Sequence, residues 1–277
     1  MDPTHNHEQA EIARVEAERA EYKKTAKQIV TRLFQDVLSN DELIKRAQCA
    51  DQTEFVTPAQ MQVRAKDNPT EPDVDGFIQI DLTDTEVRRH SVITHSKSRA
   101  ETLHTLLHES VHLMSPRPTL ISNPMDEPGD EKFSDYLGAI RYERFRRNKK
   151  VDIRSLADKP NAQALFWEAV TDWLAEEGLE NELSPEEIDE IADGGYYERH
   201  WIYYLVRKSP NKPELIKAIK EAYTQGNEDP LLWILQKQSQ TTDNSLYEKM
   251  LDIMGRPRTE TDRVDDWMKI IDQYFKK

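Results

Sequence analysis

The chain has almost no cysteine: Cys49 is the only one in 277 residues, so no disulfide can form within it, which suits a reducing compartment. Glycine is scarce as well, with 8 in all, which argues against a sandwich of many tightly turned strands. No run approaches the roughly 18 apolar residues needed to cross a bilayer as a helix. The opening MDPTHNHEQAEIARVEAER lacks the apolar stretch of a secretory signal. Positive charge is also deficient. The net charge of -14 repels phosphate backbones and anionic bilayers, so neither nucleic acid nor membrane is an expected partner. The default location is cytoplasmic, with export by a route independent of a signal peptide left open. Nothing in the sequence marks an oligomeric state.

What is present favours helix. With 37% hydrophobic and 32% charged residues, a chain of this length can bury a real core unaided. The expected fold class is α+β, mostly α, with a small mixed or antiparallel sheet of about two to four strands and a helical C-terminal subdomain. Three segments are expected: an N-terminal helical segment 1–48, a core 49–208 and a helical extension 209–277. Gln9 to Ala47 reads as helix, exposed or fraying from Glu8 to Lys27 and with an apolar face from about Ile29. His5 and His7, ahead of it, read as a disordered tail. Cys49 to Asp75, with Pro58, Pro69 and Pro72, reads as an irregular connection.

Phe77 to Leu82 alternates as a strand and Ser91 to Thr94 is a second, the two pairing as a hairpin across Thr83 to Arg89. A helix follows from Ser98 or Arg99 to about Met114. Ser98 and Glu101 have the spacing of a capping box, and Pro116 ends the element. Further helical patterns run Glu131 to Arg147, Ala162 to Glu177, Pro185 to Ala192, Tyr196 to Lys208, Lys212 to Tyr223, Pro230 to Gln236, Ser245 to Met254 and Arg263 to Phe275. The basic cluster Arg144 to Lys150 reads as the solvated end of a helix.

Chemistry enters with His108-Glu109-Ser110-Val111-His112. Histidines four apart rise about 6 Å along a helix and point from one side, so two imidazoles can hold one Zn²⁺. The glutamate between them is offset beside the metal, where it can accept a proton from an attacking water and return it to a leaving amine. Leu103, Leu106, Leu107, Val111 and Met114 form the apolar stripe that packs this helix. Downstream, Glu168 and Asp172 stand one turn apart at the border of a buried side made by Leu165, Ala169, Val170, Trp173 and Leu174. A carboxylate so placed can reach a metal. Its neighbour at i+4 can fix the tautomer of a ligand histidine through the ring nitrogen that does not touch the metal.

These two motifs resemble the gluzincin class of zinc metallopeptidases, in which H-E-x-x-H is completed by a glutamate within E-G/A-x-T-E/D followed by two apolar residues. Glu168-Ala169-Val170-Thr171-Asp172-Trp173-Leu174 is similar to that stretch, and the resemblance spans roughly Phe77 to Leu205. It implies a zincin-like core with the sheet packed on the H-E-x-x-H helix, and His108, His112 and Glu168 as zinc ligands. It further implies Glu109 as general base and Asp172 as the carboxylate behind a ligand. An oxyanion donor would come from Tyr196 to His200, with Tyr197 and His200 favoured, and an extended protein or peptide substrate would pair with the strand Phe77 to Leu82.

Glu131 and Asp135 remain rival third ligands, although acids beside Gly129 also suit a solvated helix start. Ser115 and Pro118 stand where a metzincin needs glycine and histidine. His104, one turn before His108, reads as a packing residue, with contact to substrate or to the ligands' surroundings as the alternative. His90 and His95 show no ligand spacing, and Trp201, Tyr203 and Tyr204 read as packed core. The expected activity is zinc-dependent peptide hydrolysis. A non-catalytic helical interaction protein that retains a zinc site and a delivered effector or toxin protease are the alternatives.

Overall fold

The computed structural model describes residues 3–65, 75–82, 87–94, 98–117, 119–121, 131–147, 150–155, 160–192, 196–257 and 262–275. Apolar residues at helical spacing give α1 (Pro3–Phe34) its inner face, where Tyr22, Ala26, Ile29, Val30 and Phe34 are buried. Burial thus begins one turn and more before the expected Ile29. The helix is continuous from Pro3, so His5 and His7 lie in its first turns and not in a disordered tail. The expected single helix to Ala47 is broken after Phe34. Ser39 starts α2 (Asn40–Ala47) by accepting a hydrogen bond from the Glu42 N–H.

The stretch expected to be irregular is built of short elements. A 3-10 turn (Gln48–Gln52) leads into β1 (Glu54–Val56), and α3 (Pro58–Ala65) begins on a proline. Proline is tolerated there because the first helical N–H has no partner within the helix. β2 (Gly76–Leu82) and β3 (Val87–Thr94) form the expected hairpin, in register from Gly76 opposite Ile93 to Leu82 opposite Val87. β1 pairs parallel to β3, giving a mixed three-stranded sheet of order β1-β3-β2. His95 falls outside the described residues.

α4 (Arg99–His112) opens on the full capping box, with the Ser98 hydroxyl accepting from Glu101 N–H and the Glu101 carboxylate accepting from Ser98 N–H. It packs on β2 and β3 on one side and on α1 and α5 on another. Leu103, Leu106, Leu107 and Val111 are fully buried in these contacts. Each contributes about 1.5–3 kcal/mol, together on the scale of the several kcal/mol per ion that burying charged groups on the same helix costs.

Glu131 to Arg147 is not a helix. It forms β5 (Glu131–Leu137) and β6 (Ile140–Arg147), the middle strands of an antiparallel sheet completed by β4 (Thr119–Ile121) and β7 (Lys150–Ser155). Among the described residues, seven strands in two sheets therefore stand against the two to four expected. Gly138, at φ +54°, takes the left-handed position of the two-residue turn. Arg144 and Lys150 accordingly belong to adjacent strands and not to a helix end.

The remaining helices match their sequence patterns to within a few residues: α5 (Pro160–Leu179), α6 (Pro185–Ala192), α7 (Arg199–Lys208), α8 (Lys212–Gln225), α9 (Asp229–Ser239), α10 (Ser245–Met254) and α11 (Arg263–Tyr274). One hydrophobic cluster runs from Tyr22 in α1 through α4 and α5 to Ile271 in α11. The fold is α+β and mostly helical. Among the described residues, no helix is long and apolar enough to cross a membrane.

Candidate metal centre

α4 and α5 lie side by side, and their facing sides bring His108, His112 and Glu168 together. His108 Nε2 and His112 Nε2 are 3.1 Å apart. Glu168 Oε2 stands 3.4 Å from the first and 3.3 Å from the second. These edges are close to the roughly 3.3 Å separation of ligand atoms around a tetrahedral ion with bonds of about 2.0–2.1 Å. Glu168 Oε2 is buried, and no hydrogen bond of good geometry reaches it.

Both rings are held from behind. His108 Nδ1 is 3.1 Å from Asp172 Oδ1. A carboxylate only accepts, so Nδ1 carries the hydrogen and, in the neutral ring, Nε2 is a lone pair. His112 Nδ1 is 3.1 Å from the hydroxyl of Tyr223, which α8 supplies. The last turn of α4 is fixed as well. Arg46 donates to the carbonyls of Met114 and Thr224, and Arg89 and the Ser115 hydroxyl bond Ser115 and His112 carbonyls. Cations at a helix C-terminus satisfy carbonyls that the helix itself leaves open.

Asp172 is a hub. Oδ1 also faces His104 Nε2 at 3.3 Å, while Oδ2 accepts from the Tyr196 N–H at 2.9 Å and from Arg199 at 3.3 Å. Arg199 is itself buried, and its Nε donates to Glu176 at 2.7 Å. Burial raises the Asp172 carboxyl, but the hydrogen bond from His108 and the charges of His108, His104 and Arg199 take it below its usual range. Glu168 is likewise held low, its burial outweighed by His112 and His108. Burial lowers His108, yet the Asp172 and Glu168 carboxylates lift it well above the ordinary imidazole value. The carboxylates that favour a proton on His108 would equally favour a metal cation beside it.

Glu109 is buried beside the group. Burial pushes its carboxyl up, and the charges of His108 and His112 only partly reverse this. It lies against the start of β2, where a Cβ placed on Gly76 would come 2.9 Å from Glu109 Oε1.

No protein-family model matches this chain, and neither a curated protein nor a solved structure is significantly similar to it. What the structure establishes is a His108, His112 and Glu168 group close enough to hold a metal ion.

The other sequence candidates fall in different places. Asp135 is buried in β5, 3.4 Å from Arg89, and Glu131 opens β5 opposite Arg146. Asp135 does not belong to the group, and the Glu131 side chain lies outside what the structure describes. Tyr197 is 60% exposed and its ring meets that of His200 at 5.6 Å. In the same stretch it is Tyr196 that stacks on His108. Sequence reasoning missed Tyr223 and Gly76, and it placed Tyr196 in the oxyanion tract without its contact to His108. Arg199 lies inside the tract singled out for other reasons. Tyr223, next to Ala222 and one turn after Ile219, has the helical spacing of an ordinary core residue.

Proposed function

We propose that the chain is a zinc-dependent peptidase of gluzincin type, with His108, His112 and Glu168 as the metal ligands and Glu109 as the general base. The observation that carries this reading is the triangle of three acceptor atoms, 3.1 to 3.4 Å on a side, with one buried carboxylate oxygen that no donor satisfies. Such a cluster of lone pairs is unfavourable unless a cation or proton sits among them, and two imidazoles with a carboxylate are a donor set zinc takes in catalytic sites. When bound, zinc supplies Lewis acidity that polarises a carbonyl and makes water more acidic.

The residues of the chain do the rest. Asp172 keeps the His108 proton on Nδ1. Glu109, whose burial raises its proton affinity, takes a proton from the attacking water and passes it to the leaving amine. β2 is an edge strand of its sheet and begins against Glu109, so an extended peptide can add to its outer side by main-chain hydrogen bonds. Tyr197 and His200 are the candidate donors to the oxyanion.

The test is zinc content and peptide cleavage in three proteins. The wild type is expected to hold one zinc and to cleave a peptide library; Glu109→Gln to hold zinc and lose cleavage; Glu168→Ala to lose both. Full cleavage by Glu109→Gln would refute the assigned base. Stoichiometric zinc without any cleavage would leave a zinc-stabilised interaction protein.

A further inference from the structure

Behind His112 runs a chain of buried hydroxyls whose protons can be placed one by one. Thr171 Oγ1 lies 2.8 Å from the Trp167 carbonyl. Two oxygens that close need a hydrogen between them, and only the threonine can supply it. Tyr223 Oη is 2.8 Å from the same Thr171 oxygen, whose single hydrogen is now committed, so the tyrosine donates there. With its own hydrogen spent, Tyr223 Oη can only accept at its other contact, His112 Nδ1 at 3.1 Å. Tyr223 and Thr171 are fully buried, so no bulk water competes for these hydrogens.

We infer that Tyr223 and Thr171 are positioning residues that keep the His112 proton on Nδ1 and so keep Nε2 open as a lone pair toward a metal. The inference rests on the metal reading above. The direction of the chain is set at its far end, because the Trp167 carbonyl accepts and never donates. Run the other way, Tyr223 would donate to Nδ1 and the neutral ring would carry its hydrogen on Nε2, closing the lone pair. Three helices take part: α4 gives His112, α5 gives Thr171 one residue before Asp172, and α8 gives Tyr223. Arg46 pins α8 to the end of α4 by bonding the Thr224 and Met114 carbonyls together. A segment more than a hundred residues from His112 thereby sets the chemistry of one of its nitrogens.

The experiment is competition for Zn²⁺ against a chromophoric chelator, on the full chain, for wild type, Tyr223→Phe, Thr171→Val and Thr171→Ser. Loss of such a supporting hydrogen bond weakens metal binding on the order of 10- to 100-fold, which is the expected result for Tyr223→Phe and Thr171→Val. Thr171→Ser keeps the acceptor and is expected to stay within about twofold of wild type. In zinc-loaded protein labelled with ¹⁵N-histidine, the His112 Nδ1–H signal should exchange slowly in wild type and Thr171→Ser and rapidly in the other two.

A role confined to packing would lower the melting temperature of Thr171→Val and leave its zinc affinity and the Nδ1–H signal unchanged, which would overturn the inference while the metal reading stands. If Tyr223→Phe does not fold, the Thr171 pair decides alone. Absence of zinc binding by the wild type would overturn both.

Discussion

The ring of Tyr196 lies over the ring of His108, with centroids 6.0 Å apart and planes 13° from parallel. The backbone N–H of the same Tyr196 donates to Asp172 Oδ2, and Asp172 Oδ1 holds His108 Nδ1. One residue therefore covers the face of the imidazole and also steadies the carboxylate that orients it. Arg199, a turn further on, donates to Asp172 and to the Tyr196 carbonyl, closing a loop of contacts around the single His108 ring.

Asp172→Asn should weaken zinc binding by on the order of 10- to 100-fold, because an amide holds the His108 tautomer less firmly. It should also lower the urea midpoint. The loss should fall short of the about 3–5 kcal/mol for breaking an isolated buried pair, since Arg199 keeps Glu176 at 2.7 Å. Chelator competition and urea melts measure the two effects separately. Unchanged zinc affinity would show that Asp172 acts on Arg199 alone.

The response to pH follows from opposed shifts in one cluster. His108 is raised in the folded protein, so its contribution is full below about 6.5 and is lost as pH climbs through the folded value. Asp172 and Glu168 are lowered, so theirs is present above about 4 and is lost as pH falls through the folded values. Glu109, raised by burial, favours the folded state toward acid and makes that edge shallower. Metal-free protein should thus melt highest between roughly pH 4.5 and 6.5. Zinc competes with the His108 proton, so the rise in melting temperature on adding zinc should be larger at pH 8 than at pH 6. Equal rises at both values would count against a shared place for proton and metal.

Gly76→Ala tests the contact between β2 and Glu109. The new Cβ would come 2.9 Å from both Glu109 Oε1 and Thr105 Cγ2, so the carboxylate must move. A displacement near 1 Å can cost on the order of 100-fold in rate, whereas zinc affinity should hold because the three ligands are untouched. Cleavage assays run beside chelator competition separate these. An unaltered kcat would mean that Glu109 relaxes without leaving its working position.

The parts legible in the sequence are those in which one local rule decides the outcome. The α4 start at Ser98, the H-E-x-x-H spacing, the Glu168 and Asp172 pair on α5 and the β2–β3 hairpin all follow from neighbours within a few positions. Glu131 to Arg147 reads as helix because its Glu, Lys and Arg suit an exposed helix face, yet it folds as two strands. The better clue was Gly138 between two runs carrying Phe133, Tyr136, Tyr142 and Phe145, where aromatics favour strands and the glycine marks a turn. Pro58 misled in the opposite sense, signalling a break where it begins α3. Tyr223 was out of reach altogether. Its partner is 111 positions away, and no periodicity encodes a hydroxyl aimed at a particular nitrogen.

Gly226→Ala should destabilise by about 1–3 kcal/mol. Gly226 ends α8 at φ +64°, and a Cβ there would meet the Tyr136 ring at 2.5 Å and Pro116 Cγ at 2.8 Å. Because Tyr223 is only three residues earlier, zinc affinity should drop along with the thermal midpoint. Calorimetry and chelator competition report both, and a variant as stable as wild type would show that the turn adapts.

The reach of α8 to His112 has a consequence for biosynthesis. A ribosome that has released the chain only as far as Leu179 has delivered every proposed ligand but not the phenol that steadies the second imidazole. On the proposed metal reading, full-strength capture of an ion would therefore wait for some forty-four further residues (179 to 223) to be added and for those helices to dock.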